Sequence, residues 1–362
     1  MGKVIQMATK TGKIDTSDMV KAINKKLGID AAYNLEHDNP AYIKDWIPTG
    51  STLLDWSIYP GREAGIPVGR ITELAGLSAA GKSFMATVIA ANANKKGMKV
   101  IYFDSEAAVD RDFLIKAGCD PKEVMYMQAI SVEKVLETIE FAMEQWPDQQ
   151  LLFIWDSIAA TPSEKDIVGD FNPQSSMAVK PRIFSKAFAK LQTPLERTQS
   201  TLLLLNQLKT NIGGTPAQML LNPYFTPGGK AIVYHCALRL WLTRRQAKAG
   251  KVLDENGTQI GSEVKVKIEK VRSAGYGREV IFDVMWGGPS IRIADEESWL
   301  NMLSNIKSDR YKASGAWKTI IDKDGKEYKF QSKDWLTKLQ DSKFREVVIS
   351  ILKEQLIEKY QS

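Results

Sequence analysis

From Arg70 onward, short apolar runs rich in β-branched and aromatic residues alternate with longer stretches of helical character. The series runs Ile71 to Leu74, Phe84 to Lys95, Val100 to Asp104, Val132 to Gln145 and Leu151 to Asp156. Parallel strands need a crossover element between them, so this alternation predicts βαβ units and a mostly parallel sheet. The runs Val100-Ile-Tyr-Phe, Leu151-Leu-Phe-Ile-Trp and Thr201-Leu-Leu-Leu-Leu are apolar at every position, as strands covered on both faces are. They are assigned to the central sheet, and the fold class is α/β.

After Arg245 the pattern becomes two-sided, with Val264, Val266 and Ile268 on one face and Lys265, Lys267 and Glu269 on the other. This predicts an antiparallel extension with one wet side. Past about Asp295, Gly315-Ala-Trp-Lys-Thr-Ile-Ile, a turn at Asp322-Lys-Asp-Gly and Lys326-Glu-Tyr-Lys-Phe predict a hairpin. An amphipathic helix over Lys343 to Tyr360 follows, making a small C-terminal α/β domain. A chain of 362 residues is long enough for one large core and a smaller accessory one.

Composition narrows the function classes only slightly. Cys119 and Cys236 are the two cysteines and lack paired spacing, which supports neither a disulfide framework nor a zinc site and fits the reducing cytosol. No apolar run of about 18 residues occurs, so a membrane-spanning or secreted protein is not expected. With 49 Lys and Arg against 43 Asp and Glu, the net charge of +6 leans mildly towards a polyanionic partner.

The strongest chemical signal is Gly76-Leu-Ser-Ala-Ala-Gly81-Lys82-Ser83, a Walker A sequence with a predicted strand before it and a helix after it. Gly76, Ser78, Ala79, Ala80 and Gly81 would turn successive N–H groups inward around phosphate oxygens. Phe84 would open a helix whose positive end faces the same anion. Lys82 would hold the β- and γ-phosphates of ATP, and Ser83 would ligate Mg²⁺. Asp156 ends an apolar strand at the carboxyl edge of the sheet, where the Walker B aspartate orients Mg²⁺. Read alone, Asp156 would be an ordinary strand-terminal aspartate; beside a Walker A it becomes a metal candidate. Another strand ends in Asp104-Ser-Glu106, which makes Glu106 the candidate to position the attacking water. A third ends at Asn206-Gln207, an amide suited to sensing the γ-phosphate.

Two segments exceed what a plain ATPase needs. Residues Gln207 to Lys230 and the shorter Asp166 to Val179 carry glycine, asparagine and proline with little periodicity, and Lys180, Arg182 and Lys186 follow the shorter one. Glycines let a backbone approach phosphates, cations neutralise them, and Met177, Ile212, Leu220 or Phe225 could wedge between bases. The bland alternative is a pair of surface loops. Lys270 and Arg272 continue the face of Val264, Val266 and Ile268 after it stops being apolar. They suit either a surface charge cluster or contact with the phosphates of a neighbouring subunit's ATP.

The chain resembles the RecA-type recombinases, in particular the bacteriophage members of the UvsX kind, from Ile47 to the C-terminus. Besides the Walker A, the resemblance rests on Pro48-Thr-Gly-Ser-Thr-Leu-Leu-Asp, Gly65-Ile-Pro-Val-Gly-Arg-Ile-Thr-Glu, Phe103-Asp-Ser-Glu-Ala-Ala-Val-Asp110 and Asp156-Ser-Ile-Ala-Ala-Thr-Pro. Further on it rests on Asn206-Gln207-Leu-Lys, Gly228-Gly229-Lys-Ala, Gly261-Ser-Glu-Val-Lys-Val-Lys-Ile-Glu-Lys and Gly315-Ala-Trp. It implies a RecA-like P-loop core over 47–294, an N-terminal oligomerisation segment over 1–46 and a small domain over 295–362. The segments 166–179 and 207–230 would be the DNA-binding loops. By the same resemblance Glu106 is the catalytic glutamate, Gln207 couples ATP state to the second loop, and Asp110 and Phe113 contact adenine. Lys270 and Arg272 would reach the adjacent protomer's ATP, and Arg182, Lys209, Gly228, Gly229 and Lys230 would lie along DNA.

A helix from about Asp18 to Leu27, capped by Ser17, would dock on the neighbouring protomer. Arg272 stands where bacterial members usually carry lysine, and the chain ends without their acidic tail. The implied function is an ATP-dependent recombinase that coats single-stranded DNA as a helical filament, pairs it with duplex DNA and exchanges strands. Single-strand-binding and loader proteins are implied as accessory partners, and a bacterial or phage-infected cell as the setting. The rival readings are a ring-forming motor such as a hexameric helicase and a catalytically weak mediator. The Gly228-Gly229 ending and the Gly-Ala-Trp tail disfavour the first, and the presence of Lys82, Ser83, Glu106 and Asp156 disfavours the second.

Overall fold

The computed structural model describes residues 15–28, 31–36, 41–59, 61–107, 109–169, 179–211, 215, 219, 223–244, 250–272, 277–288, 290–306 and 308–360. Packing divides the chain into a unit ending at Lys44 and a larger one from Asp45 to Ser362.

In the first unit, helix α1 (Thr16–Leu27) begins two residues earlier than expected. Its cap is Asp15, not Ser17: the extended Asp15 accepts a hydrogen bond from the Ser17 N–H at 3.2 Å. A carboxylate there also meets the positive end of the helix. Gly28, at φ 69°, ends the helix in the left-handed conformation that glycine adopts without strain. Asn24 ties down the following chain, accepting from the Ala31 and Ala32 N–H groups and donating to the Ala32 carbonyl.

The second unit opens with β1 (Trp46–Ile47), paired antiparallel with β2 (Ile66–Pro67) around α2 (Thr52–Ile58). Then come β3 (Ile71–Gly76), α3 (Lys82–Lys95), β4 (Lys99–Asp104), α4 (Arg111–Lys116), β5 (Val124–Gln128), α5 (Val132–Gln145) and β6 (Leu151–Asp156). After α6 (Glu164–Val168) and α7 (Val179–Thr198) comes β7 (Thr201–Gln207). The two-residue strands β8 (Lys209–Thr210) and β9 (Tyr224–Phe225) form their own antiparallel ribbon. The rest of the sheet is β10 (Leu238–Arg244), β11 (Lys251–Leu253), β12 (Gln259–Val271), β13 (Glu279–Met285) and β14 (Arg292–Ala294).

Among the described residues the main sheet has ten strands, in the order β14-β13-β12-β10-β3-β7-β6-β4-β5 with β11 beside β12. The run from β10 to β5 is parallel throughout, and the extension through β12, β13 and β14 is antiparallel. Sequence patterning anticipates both halves but passes over β5. Its side chains are mostly exposed, because it is the sheet edge, and its apolar run, Val124 to Met127, is too short to separate a strand from a helix or loop segment.

The pleat sends alternate residues to opposite faces. In β6, Leu152 and Ile154 join the core under α3, while Leu151, Phe153 and Trp155 join a second core under α5 and α7. Helix α3 is buried on almost every side from Phe84 to Ala93, which explains its all-round apolar sequence.

The tail forms the predicted hairpin within a three-stranded sheet of β15 (Tyr311–Ser314), β16 (Trp317–Ile321) and β17 (Glu327–Gln331). Asp322 Oδ1 accepts from the Asp324 and Lys326 N–H groups and so closes the turn. The last long helix spans Ser342–Leu356, and a 3₁₀ turn over Glu358–Tyr360 follows it. Phe330, Phe344, Val348 and Leu352 belong to the same apolar cluster as Leu54 and Trp56. No helix among the described residues is long and apolar enough to cross a membrane.

Candidate nucleotide site and the loops beside it

Strands β3, β7, β6 and β4 are neighbours; β3 and β7 end level with one another, as do β4 and β6, so the residues at their carboxyl ends are brought to one edge of the sheet. Gly76 is opposite Gln207, and Asp104 is opposite Asp156. The turn after β3 contains Ala79 at φ 56° and Gly81 at φ 91°. Gly76 lies so close to β10 that a Cβ there would stand 2.9 Å from the Leu242 carbonyl oxygen. The glycine at the head of the motif is therefore required by strand packing as well as by the turn.

Helix α3 starts at Lys82, directly after this turn. The Lys82 ammonium donates to the carbonyls of Gly76 (3.2 Å) and Leu77 (3.1 Å). Burial pushes its pKa below the usual lysine value, with the Asp156 and Glu106 carboxylates pulling it back up. Ser83 Oγ donates to Asp156 Oδ2 at 2.6 Å, and the buried Tyr102 hydroxyl donates to the same oxygen at 3.0 Å. Burial raises the Asp156 pKa above the usual carboxylate range. The Ser83 and Tyr102 hydrogen bonds oppose the shift, and Asp104 and Glu106 add to it.

A hydroxyl and a carboxylate in contact are the hard oxygen donors that Mg²⁺ takes beside a nucleotide. Among the described residues there is no group of three or more His, Cys, Asp or Glu side chains able to hold a metal. Mg²⁺ beside a nucleotide takes one or two protein oxygens together with phosphates and water, so Ser83 and Asp156 fit the Mg²⁺–ATP group.

Glu106 follows β4 and its Oε1 accepts from Ser157 Oγ at 3.0 Å, while its own N–H donates to Asp104 Oδ1. Asp104, fully buried, also accepts from the Val109 N–H and the Tyr126 hydroxyl, and so shapes the turn that carries Glu106. Asp110 caps α4, accepting from the Phe113 N–H at 2.7 Å, and the Phe113 ring meets Phe84 edge-on at 6.3 Å. The four residues from Asp110 to Phe113 thus turn one aromatic face towards the start of α3.

Lys270 and Arg272 lie at and beyond the end of β12, and among the described residues their partners are backbone carbonyls. Lys270 Nζ donates to the carbonyls of Val233 (2.5 Å), Tyr234 (3.3 Å) and Cys236 (2.7 Å), and Arg272 to Tyr234 (2.9 Å). These carbonyls are at the C-terminal end of the helix Lys230–His235, where cations are favoured. Burial lowers the Lys270 pKa, and Arg272 adds to the effect.

The two candidate loops converge at their ends. Gly229, at φ 75°, begins the helix Lys230–His235 and lies against the start of α7: a Cβ there would stand 3.1 Å from Pro181 Cβ. Gly228, at φ 101°, would place a Cβ 2.3 Å from Ile232 Cδ1. Arg182 is exposed on α7, and Lys230 is exposed on the short helix. Lys209 is opposite Phe225 in the ribbon that closes the longer loop, an element the sequence did not announce. Met177 and Ile212 lie outside the described residues.

Sequence reasoning missed Tyr102, Ser157, Glu73, Arg239 and Thr226. A signal existed for Glu73 and Arg239, since each is a charge inside a short run that otherwise reads as a core strand. They form a buried ion pair at 2.6 Å.

The parallel core, the phosphate turn, the Ser83–Asp156 contact and the carboxylate after the neighbouring strand together define a P-loop ATPase. The family model described as the RecA N-terminal domain matches residues 14–290. Protein RecA of Thermus aquaticus is 31% identical over 268 residues, covering 74% of this chain and 74% of that protein. Protein RecA of Aquifex aeolicus is 29% identical over 314 residues, covering 87% and 85%, and that of Sulfurovum sp. is 31% identical over 312, covering 86% and 83%. The chain belongs to the RecA family. It is a RecA-type recombinase and a DNA-dependent ATPase, and the hexameric-helicase reading is not favoured.

Proposed function

We propose that this chain, a phage-type member of its family acting in a bacterial cell, polymerises on single-stranded DNA in its ATP state. The filament pairs the strand with homologous duplex, and hydrolysis resets it. The observation that carries the site assignment is the Ser83–Asp156 contact at 2.6 Å, with Asp156 one strand away from the β4 end that leads to Glu106 and the turn's Gly76 level with Gln207. The turn from Gly76 to Gly81 cradles the phosphates with its N–H groups, and Lys82 neutralises the β- and γ-phosphates. Ser83 and Asp156 would hold the magnesium ion, which would supply positive charge against the phosphates. Glu106, oriented by Ser157, accepts the proton of the attacking water. Gln207 reports the γ-phosphate to the loop that follows it.

Asp110 and Phe113 flank the adenine, and Lys270 with Arg272 act on the ATP of the adjacent protomer. Residues 166–179 and 207–230 contact DNA, with Arg182, Lys209 and Lys230 at phosphates and the Gly228–Gly229 backbone beside them. Association with further copies is supported by α1, whose Met19, Ile23 and Leu27 recur every four residues on one face and are all exposed. The residues before Ile47 serve assembly, those from Asp295 onward form an accessory domain, and loader and single-strand-binding proteins act on the same filament.

The test is electron microscopy with single-stranded DNA and a slowly hydrolysed ATP analogue. Continuous helical filaments, absent without nucleotide, are expected, whereas closed rings would replace this reading with a ring motor. Lys82→Ala is expected to abolish nucleotide-dependent DNA binding, while Glu106→Ala spares binding and slows turnover. Equal loss of binding in both contradicts the assigned roles.

A further inference from the structure

Glu73 is fully buried in the middle of β3, yet it faces neither the nucleotide turn nor solvent. Its two oxygens are used on two different strands. Oε1 accepts from Asn206 Nδ2 at 2.8 Å, and Oε2 accepts from Arg239 Nε at 2.6 Å. Asn206 and Arg239, also buried, each pass the connection on to the segment between β7 and the helix Lys230–His235. Asn206 Oδ1 accepts from the Gln207 N–H at 2.9 Å, and its Nδ2 donates to the Pro227 carbonyl at 2.9 Å. Arg239 turns its other arm to Thr226 Oγ1 at 3.0 Å.

The hydrogen bonds close a ring: Gln207 and Asn206 at one end of the 207–230 segment, Thr226 and Pro227 at the other, and Glu73 with Arg239 between them. The backbone ladder already fixes the register of β10, β3 and β7, and a buried ion pair is a poor source of net stability. A register role therefore leaves the outward arm of Arg239 unexplained. Gly228, next in the chain after Pro227, is packed against Ile232 and Phe184, so a displacement at Pro227 is passed into the base of α7.

We propose that Glu73 is a positioning residue that clasps both ends of the 207–230 segment, through Asn206 at the Gln207 end and through Arg239 at the Thr226 end. A movement of Gln207 at the nucleotide thereby reaches Thr226–Pro227 directly, without relying on the intervening chain. The inference rests on the reading of 207–230 as a DNA-contacting loop.

The quantity to measure is the ratio of single-stranded DNA affinities with a slowly hydrolysed ATP analogue and with ADP, by fluorescence anisotropy on the full chain. Thr226→Val keeps the side-chain shape and removes only the outer acceptor. Arg239→Lys keeps the charge beside Glu73 but loses the fork that reaches Thr226. Glu73→Gln weakens both arms. Each variant is expected to lower the wild-type ratio about fivefold or more, a typical size for coupling between sites. Even if Glu73→Gln fails to fold, Thr226→Val and Arg239→Lys together decide. A wild-type ratio in both Thr226→Val and Arg239→Lys overturns the clasp, and so does equal weakening in the two nucleotide states, which marks Thr226 as a plain DNA contact. The double variant Lys209→Ala with Lys230→Ala tests the underlying reading separately. If its DNA affinity is unchanged with either nucleotide the loop assignment fails, whatever the clasp variants do.

Discussion

The nucleotide turn and the Glu73 clasp occupy the same parallel sheet and are built in opposite ways. In the turn, Gly76 to Ser83 are contiguous, and backbone N–H groups and side chains converge because glycines permit the bend. In the clasp, Glu73, Asn206 and Arg239 come from three strands and are 133 and 166 residues apart. The turn meets a ligand that brings its own charge, so its cation and the nearby Asp156 carboxylate, although largely buried, lie at the carboxyl edge of the sheet. The clasp meets no ligand, so every charge in it is balanced internally and shielded from water. Ligand chemistry is thus written locally, whereas the parts that connect one site to another are assembled by the sheet.

The largest effect expected is at the turn. Lys82→Ala should lower DNA-stimulated ATP hydrolysis by about a hundredfold to a thousandfold, read as phosphate release, because it removes a preorganised charge from the transferring phosphoryl group. Glu106→Gln should slow turnover about a hundredfold or more while nucleotide affinity is retained, which a comparison of kcat with the dissociation constant would reveal. If Glu106→Gln weakens nucleotide binding as much as turnover, the carboxylate belongs to binding and the contrast between the two regions blurs.

At the clasp the effect should appear in stability. Glu73→Ala leaves the Arg239 guanidinium buried without its carboxylate, and chemical denaturation should register a loss of about 3 to 5 kcal/mol. A loss under about 1 kcal/mol would mean that water reaches Arg239 and that the region is less sealed than its burial indicates.

A smaller effect separates backbone from packing. Gly228→Ala combines a φ of 101° with a close approach to Ile232, whereas Gly257→Ala combines a φ of 79° with open space. The first should cost about 2 to 4 kcal/mol and the second about 1 kcal/mol by the same denaturation assay. Equal costs would show that Ile232 simply moves aside.

The smallest effect concerns Asp55, whose carboxyl is pushed well above the usual carboxylate range by burial, against the hydrogen bonds from Thr49. The folded state holds this proton more tightly than the unfolded chain does. The stabilisation is therefore complete below the unfolded pKa of about 3.9 and is lost as pH rises through the raised folded value. Asp55→Asn cannot lose that proton and keeps an acceptor for the Thr49 N–H. Its melting temperature relative to wild type should increase from about pH 4 to about pH 8, and a flat difference would place Asp55 in contact with solvent.

Legibility in the sequence followed the range of the interactions. Strands β4, β6 and β7 were visible because burial on both faces gives them apolar runs within an alternating series of strands and helices, whereas the edge strand β5 offers only Val124 to Met127, too short a run to tell from a helix or loop segment. The Walker sequence announced Lys82 and Ser83 as a motif, and Asp156 was readable once that motif fixed which edge of the sheet mattered. Cations at 270 and 272 were readable as residue types, but their partners were not. Backbone carbonyls of a helix end have no sequence signature, and only the fold brings Val233, Tyr234 and Cys236 under Lys270.

By itself the sequence determined the parallel α/β core, the turn that receives a phosphate and the family of the chain, because each is set by short-range steric rules or by a contiguous run of residues. Tertiary structure alone decided that Tyr102 would support Asp156, that Ser157 would orient Glu106 and that Glu73 would join Asn206 to Arg239. The physical reason is that a buried polar group must find its partner wherever the packed strands place one, and strand order is a property of the whole chain.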